Sequence, residues 1–189
     1  MDALSGIISA FGLSASAGLN AYIPLLVISL LARYTDLIKL SSPWDTLESP
    51  WIIGLLVVLI AIEFFADKVP AVNHINDAIQ TFVRPVAGAL LFAASARVIT
   101  DVHPLISLGA GLLVAGGVHA VKSLAVRPAV TATTGGAGNV PVSFMEDIIS
   151  GAVSILSIVI PILFAVVAIL FTSWIVWKMW YRQSVKRAV

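Results

Sequence analysis

The sequence predicts an all-α fold, a polytopic membrane helical bundle of about five spans with broken or kinked first and last helices. Three observations predict it. Hydrophobic residues make up 59% of the chain and charged residues 11%, far from the quarter or so that is charged in soluble domains. Mean hydropathy is +1.03, and the apolar residues gather into five stretches, most of them long enough to cross a hydrocarbon core about 30 Å thick. The 11 basic and 10 acidic residues are also unevenly placed, nine of them falling between Glu63 and Arg84 or between Lys122 and Asp147. A chain of 189 residues has room for such a bundle and little else, so residues 1–189 are read as a single integral membrane domain.

The first span covers Ile7 to Ala32. Ala15-Ser16-Ala17 resembles a signal cleavage site, but Met1-Asp2 provides no basic region before it, so a retained span is expected. Gly18 to Pro24 interrupts this span, and Pro161 interrupts the last one, Ile148 to Trp177. Each should kink or break its helix, because proline lacks a donor and clashes with the carbonyl four residues back. The second span, Trp51 to Ala66, is short and closes on Glu63 and Asp67; the third runs from Ala78 to Thr100 and the fourth from Leu105 to Val121. Small residues recur on the first span (Ser14, Ala17, Gly18, Ala21) and the fourth (Ser107, Gly111, Ala115, Gly116), which predicts that these two helices cross near the centre. Gly12 to Ala21 can be laid over Gly111 to Ala120, with Asn20 and His119 in register, which suggests an inverted repeat.

Basic residues set the orientation. Lys178, Arg182, Lys186 and Arg187 form the densest basic group outside the spans, which places the C-terminus in the cytoplasm and, with five spans, the N-terminus outside. Both charged stretches then fall on the outer side. Trp174, Trp177, Trp180 and Tyr181 are expected to form an interfacial belt at the inner end of the bundle.

Charges at membrane depth are costly and mark a cavity, a partner or a pathway. Glu63 and Asp67 share a face at the end of the second helix, while Asp77, Gln80 and Arg84 share one on the third. They form either a proton- or ion-coupling site or a structural ion-pair network that closes the hairpin. His119 and Lys122 share a face, Arg127 follows, and Pro128 is expected to end or kink the helix. Together they offer donors to an anionic group, with Arg suited to bidentate contact. Asn20 lies where a broken helix would expose carbonyls to a cation or polar group, or else supplies an interhelical hydrogen bond. Thr131 to Asn139 reads as a polar, glycine-rich loop, either re-entrant or external. Ser143 and Glu146 match a capping box that would start the last helix, with Glu146 and Asp147 against its N-terminal dipole.

Other chemistry is not expected. The chain contains no cysteine, no HExxH and no Gly-x-Ser-x-Gly, and its glycine-rich loop is neither a Walker loop nor a dinucleotide fingerprint. No metal, cofactor or enzymatic activity is therefore expected. A formal charge of +1 without a basic stripe argues against nucleic acid.

Taken together, Ser16 to Tyr22 with Pro24, Glu63 with Asp67-Lys68-Val69-Pro70, Arg84-Pro85 with Gly88, and His119, Lys122, Arg127-Pro128, Gly135-Gly136, Asn139, Ser143 and Glu146-Asp147 carry a resemblance. From about Gly12 to Pro161 the chain resembles the bacterial membrane family called domain of unknown function 4126. The resemblance implies a polytopic membrane protein and supplies no substrate. The residues themselves suggest a small secondary transporter or lipid-headgroup translocator. Asn20, Arg84, His119, Lys122, Arg127 and Asn139 would bind an anionic or zwitterionic group, and Glu63, Asp67, Asp77, Glu146 and Asp147 would couple protons or ions. Alternatives are a channel-like ion or proton pathway and a non-transporting scaffold or assembly factor. Membrane lipids are the expected partners, and a homodimer could complete the cavity.

Overall fold

The computed structural model describes residues 3–66, 70–96 and 103–187, and every regular element among them is helical. In chain order these are α1 (Ala3–Leu19), α2 (Tyr22–Tyr34), a 3-10 turn (Trp44–Glu48), α3 (Pro50–Ala66), α4 (Pro70–Ala96), α5 (Pro104–Val121), a π-helical turn (Lys122–Val126), α6 (Arg127–Thr134), α7 (Asn139–Val159) and α8 (Pro161–Arg187). Four helical stretches are long and apolar enough to cross a membrane: Ala78–Ser95, Pro104–Thr134, Asn139–Val159 and Pro161–Tyr181. Helices Leu4–Leu19, Tyr22–Tyr34 and Pro50–Ala66 are apolar but shorter.

The first span breaks where its glycine and proline predict, between α1 and α2 at Asn20 and Ala21. Pro161 divides the last stretch into α7 and α8, separate helices each long enough to cross. The fourth span differs more. It does not end at Val121 or at Pro128, but continues through the π turn and α6 to Thr134 as one 31-residue helical stretch. Residues Thr131 to Thr134 are thus helical, and the expected loop shrinks to the turn Gly135 to Gly138. Gly135 (φ 63°) and Gly136 (φ 92°) reverse the chain there, at angles that side chains disfavour.

α1 lies at the centre and touches α2, α4, α5, α7 and α8. Small residues let it do so. The Ser14 hydroxyl donates to the Gly111 carbonyl (2.8 Å) and to that of Gly88 (3.1 Å), tying α1 to α5 and α4 where they cross. A β-carbon on Gly88 would run into that of Ala115, and one on Gly111 into the Gly88 carbonyl, so these two glycines set the distance between α4 and α5. Against α7, the Ser16 hydroxyl lies 2.8 Å from that of Ser150 and 2.7 Å from that of Ser154, while Ser9 donates to the Ser157 carbonyl at 2.5 Å.

α7 is therefore inside out. Ser143, Glu146, Ser150, Ser154 and Ser157 are buried, whereas Phe144, Met145, Ile148, Ile149 and Ile155 are exposed. Polar groups face the bundle and apolar ones the surroundings, the arrangement a hydrocarbon solvent selects. Each interhelical hydrogen bond in such a setting is worth about 0.6 kcal/mol on average. The serine ladder's larger role is to satisfy hydroxyls that lipid would leave bare.

Candidate functional site: a buried charge cluster beside a polar cavity

The breaks in the helices assemble the site. At the α1–α2 break, the Asn20 side-chain oxygen accepts from the backbone N–H of Tyr22 (2.9 Å) and of Ile23 (3.0 Å), capping α2. Its amide nitrogen donates to Glu63 Oε2 on α3 (2.8 Å) and to Asp147 Oδ1 on α7 (2.9 Å). One side chain thus fixes four helices relative to each other. The break also frees the Leu19 carbonyl, and the cation that takes it is the protein's own, Lys122 Nζ at 3.0 Å.

The π turn performs a second alignment. In a regular α-helix residues five apart point about 140° from one another, because each residue turns the chain by about 100°. Here the Arg127 N–H bonds to the Lys122 carbonyl, five residues back, and this wider turn stacks residue 127 over residue 122. Pro128, which cannot donate to Leu124 and whose ring crowds that carbonyl, accounts for the widening. Both cations consequently reach the same oxygen, Glu146 Oε2, from Lys122 Nζ at 2.8 Å and from Arg127 Nη2 at 3.0 Å. Arg127 Nη2 also donates to Ser143 Oγ at 2.6 Å.

Arg84, only 1% exposed, bonds Glu63 Oε1 through Nη2 (3.1 Å) and lies 3.2 Å from His119 Nδ1 through Nη1. A guanidinium only donates, so Nδ1 accepts and the remaining ring proton sits on Nε2, directed at Thr81 Oγ1 3.2 Å away. Both ring nitrogens of His119 are engaged. Its ring also forms part of the cavity wall, beside Arg84 and Lys122.

The capping reading of α7 is corrected as well. The helix begins at Asn139, so Ser143 and Glu146 lie inside it, buried, as partners of Arg127. Asn139 does not join the cluster; it is linked to Thr131 at the α6–α7 turn, its amide nitrogen 3.0 Å from Thr131 Oγ1. Asp67 and the Asp77 side chain lie outside the described residues. Sequence reasoning did not single out Thr81 or the Leu19 carbonyl, which have no signature of their own.

Among the described residues, the cluster sets Arg84, Lys122 and Arg127 against Glu63, Glu146 and Asp147, a formal balance of charge. The arrangement is lopsided in space, however. A cavity of about 270 Å³ is lined by Ala78, Thr81, Arg84, His119, Lys122, Ser123 and Arg127, with no carboxylate among the described residues of its wall. The buried Nε atoms of Arg84 and Arg127 have no hydrogen-bond partner among the described residues, and Lys122 uses two of its three donors on Leu19 and Glu146. Buried donors without acceptors are uncommon and call for an explanation. Here they belong to side chains that line one polar space.

The family model described as "Domain of unknown function (DUF4126)" matches residues 7–181. The chain belongs to this family. The match spans every residue of the cluster, so the whole site of this DUF4126 chain lies in its family domain. Neither a curated protein nor a solved structure matches the chain.

Proposed function

We propose that this protein is a small secondary transporter or lipid-headgroup translocator, whose cavity takes an anionic or zwitterionic group against Arg84, Lys122 and Arg127. The observation that carries the reading is the cavity wall: the buried Arg84 and Lys122 and the part-buried Arg127 line it, and the Nε of each arginine lacks an acceptor among the described residues. An incoming phosphate or carboxylate would supply those acceptors. The acids stand behind the cations. Glu63, Glu146 and Asp147 balance the charge of the cations, and protonating one of them would raise the positive charge available to the substrate, a natural route to proton coupling. The breaks at Asn20 and at the π turn fit a transporter site built on interrupted helices, and the likeness of α1 to α5 fits an inverted repeat.

The protein would sit in a bacterial inner membrane with its basic C-terminus in the cytoplasm. Counting α7 and α8 as one kinked passage, the cavity opens to the outer side.

Reconstitution in liposomes tests the proposal. One set of vesicles reports flux of small anions, phosphate and acetate among them, by swelling; a second reports translocation of fluorescent phospholipid by quenching of the outer leaflet. Activity in one set, lost in Lys122→Met protein of unchanged fold, is the expected result. Silence in both sets, or equal activity in the variant, would refute it.

A further inference from the structure

Lys122 belongs to two cavities. Besides the polar one, it borders a larger space of about 500 Å³ between α5 and α7, walled by apolar side chains that include Val121, Val142, Met145 and Ile149. The polar side chains on that wall are Lys122 and Glu146, the ion pair at the edge of the charge cluster. Val121, Met145 and Ile149 are 63%, 52% and 45% exposed, so the groove opens through the surface that hydrocarbon would cover. The π turn contributes here too, because its Val126 lines the same groove.

A free aqueous anion has no use for such a groove. The polar cavity is just below the usual range for small-molecule pockets, about 300–1,000 Å³, and the apolar groove lies within it. Their junction at a buried ammonium fits a molecule with a compact anionic head and a hydrocarbon tail. We propose that the occupant is a glycerophospholipid with an anionic headgroup, its phosphate held by Arg84, Lys122 and Arg127 and one acyl chain lying between α5 and α7. The lipid enters sideways from the bilayer, and Lys122 sits where head and chain join. This rests on the anion-site reading above and narrows its substrate class to a lipid.

Gly117 lines the groove, and a β-carbon there would meet nothing within 4 Å, so Gly117→Phe fills the acyl space without displacing the bundle. Ile149→Trp fills it from the opposite wall. Gly109→Phe, at an equally open position away from the groove, serves as a control. Delipidated protein is titrated with phosphatidylglycerol by native mass spectrometry, and with inorganic phosphate and glycerol phosphate by thermal shift. The expected result is that Gly117→Phe and Ile149→Trp each weaken phosphatidylglycerol by at least about tenfold, equivalent to about 1.4 kcal/mol. Gly109→Phe and the response to glycerol phosphate should be unaffected. Lys122→Met should weaken both ligand classes. Should one groove variant melt early, the other decides. Phosphatidylglycerol binding that ignores both groove variants but is lost in Lys122→Met would overturn the acyl-chain proposal and leave the anion site standing. Absence of binding by lipid and by soluble phosphates alike would overturn both.

Discussion

Arg84→Met should be among the most damaging single changes in the bundle. The guanidinium is 1% exposed and holds two partners, Glu63 Oε1 at 3.1 Å and His119 Nδ1 at 3.2 Å. Methionine keeps an unbranched apolar stem but removes the guanidinium from Glu63, itself 4% exposed, which keeps the neutral Asn20 amide at 2.8 Å. Breaking a buried ion pair from one side typically costs about 3–5 kcal/mol. Lys122→Met offers the internal comparison. Its acid, Glu146, keeps Arg127 at 3.0 Å, so no carboxylate is stranded and the loss should be nearer about 1–2 kcal/mol, the scale of a lost hydrogen bond. Removing both members of the first pair, in Arg84→Met/Glu63→Leu, should recover at least half of the single-variant loss, because no uncompensated charge remains. Unfolding free energies in mixed micelles, measured for the four proteins, give these differences directly. Equal losses in Arg84→Met and Lys122→Met, or a double variant no better than Arg84→Met, would refute the assignment of Arg84 as the buried ion-pair partner of Glu63 and Glu146 as the shared acid.

Pro128→Ala should let the π turn relax toward an α-helix, swing Arg127 away from Glu146 and weaken anion binding more than stability; an unchanged response to glycerol phosphate in a thermal shift titration would count against that geometry. Gly111→Ala should cost about 1–3 kcal/mol through overpacking against the Gly88 carbonyl, whereas Gly109→Ala, with open space, should be neutral or slightly stabilising in the same unfolding assay. Ser143→Ala removes the 2.6 Å contact with Arg127 and should cost about 1 kcal/mol, within the range measured for polar contacts in membrane bundles. A cysteine placed at Gly136 should be labelled from outside the cell alone; labelling from the cytoplasm would mean that α8 crosses independently of α7 and that the cavity opens inward.

Much of this arrangement is legible in the sequence because membrane solvation punishes exceptions. A hydroxyl or charge amid apolar residues must find a partner, so Asn20, Glu63, Arg84, Lys122 and Arg127 stand out individually. The breaks at Gly18 to Pro24 and at Pro161 follow from backbone chemistry alone. The polar stripe of α7 was also readable. Ser143, Glu146, Ser150, Ser154 and Ser157 recur every three or four residues, a single helical face, but the capping-box pattern at Ser143 and Glu146 competes with that periodicity and leads to a helix start five residues too late. What local rules do not encode is the π turn. Pro128 signals a disturbance but not whether the helix stops or widens, and the shared partner of Lys122 and Arg127, Glu146, comes from another helix. The engagement of both His119 nitrogens is hidden for the same reason, since Thr81 and Arg84 reach it from α4.

The central claim is that the cations of the charge cluster form a receptor for an anionic or zwitterionic group. The measurement that tests it most directly is an experimental structure of the protein in lipid nanodiscs, at a resolution that shows non-protein density in the cavity between Thr81 and Arg127. A tetrahedral or planar oxyanion is expected there, with oxygens in hydrogen-bond range of Arg84 Nε and Arg127 Nε and of Lys122 Nζ. A cavity occupied by water alone, or closed by a carboxylate of the protein bonded to those same Nε atoms, would contradict it.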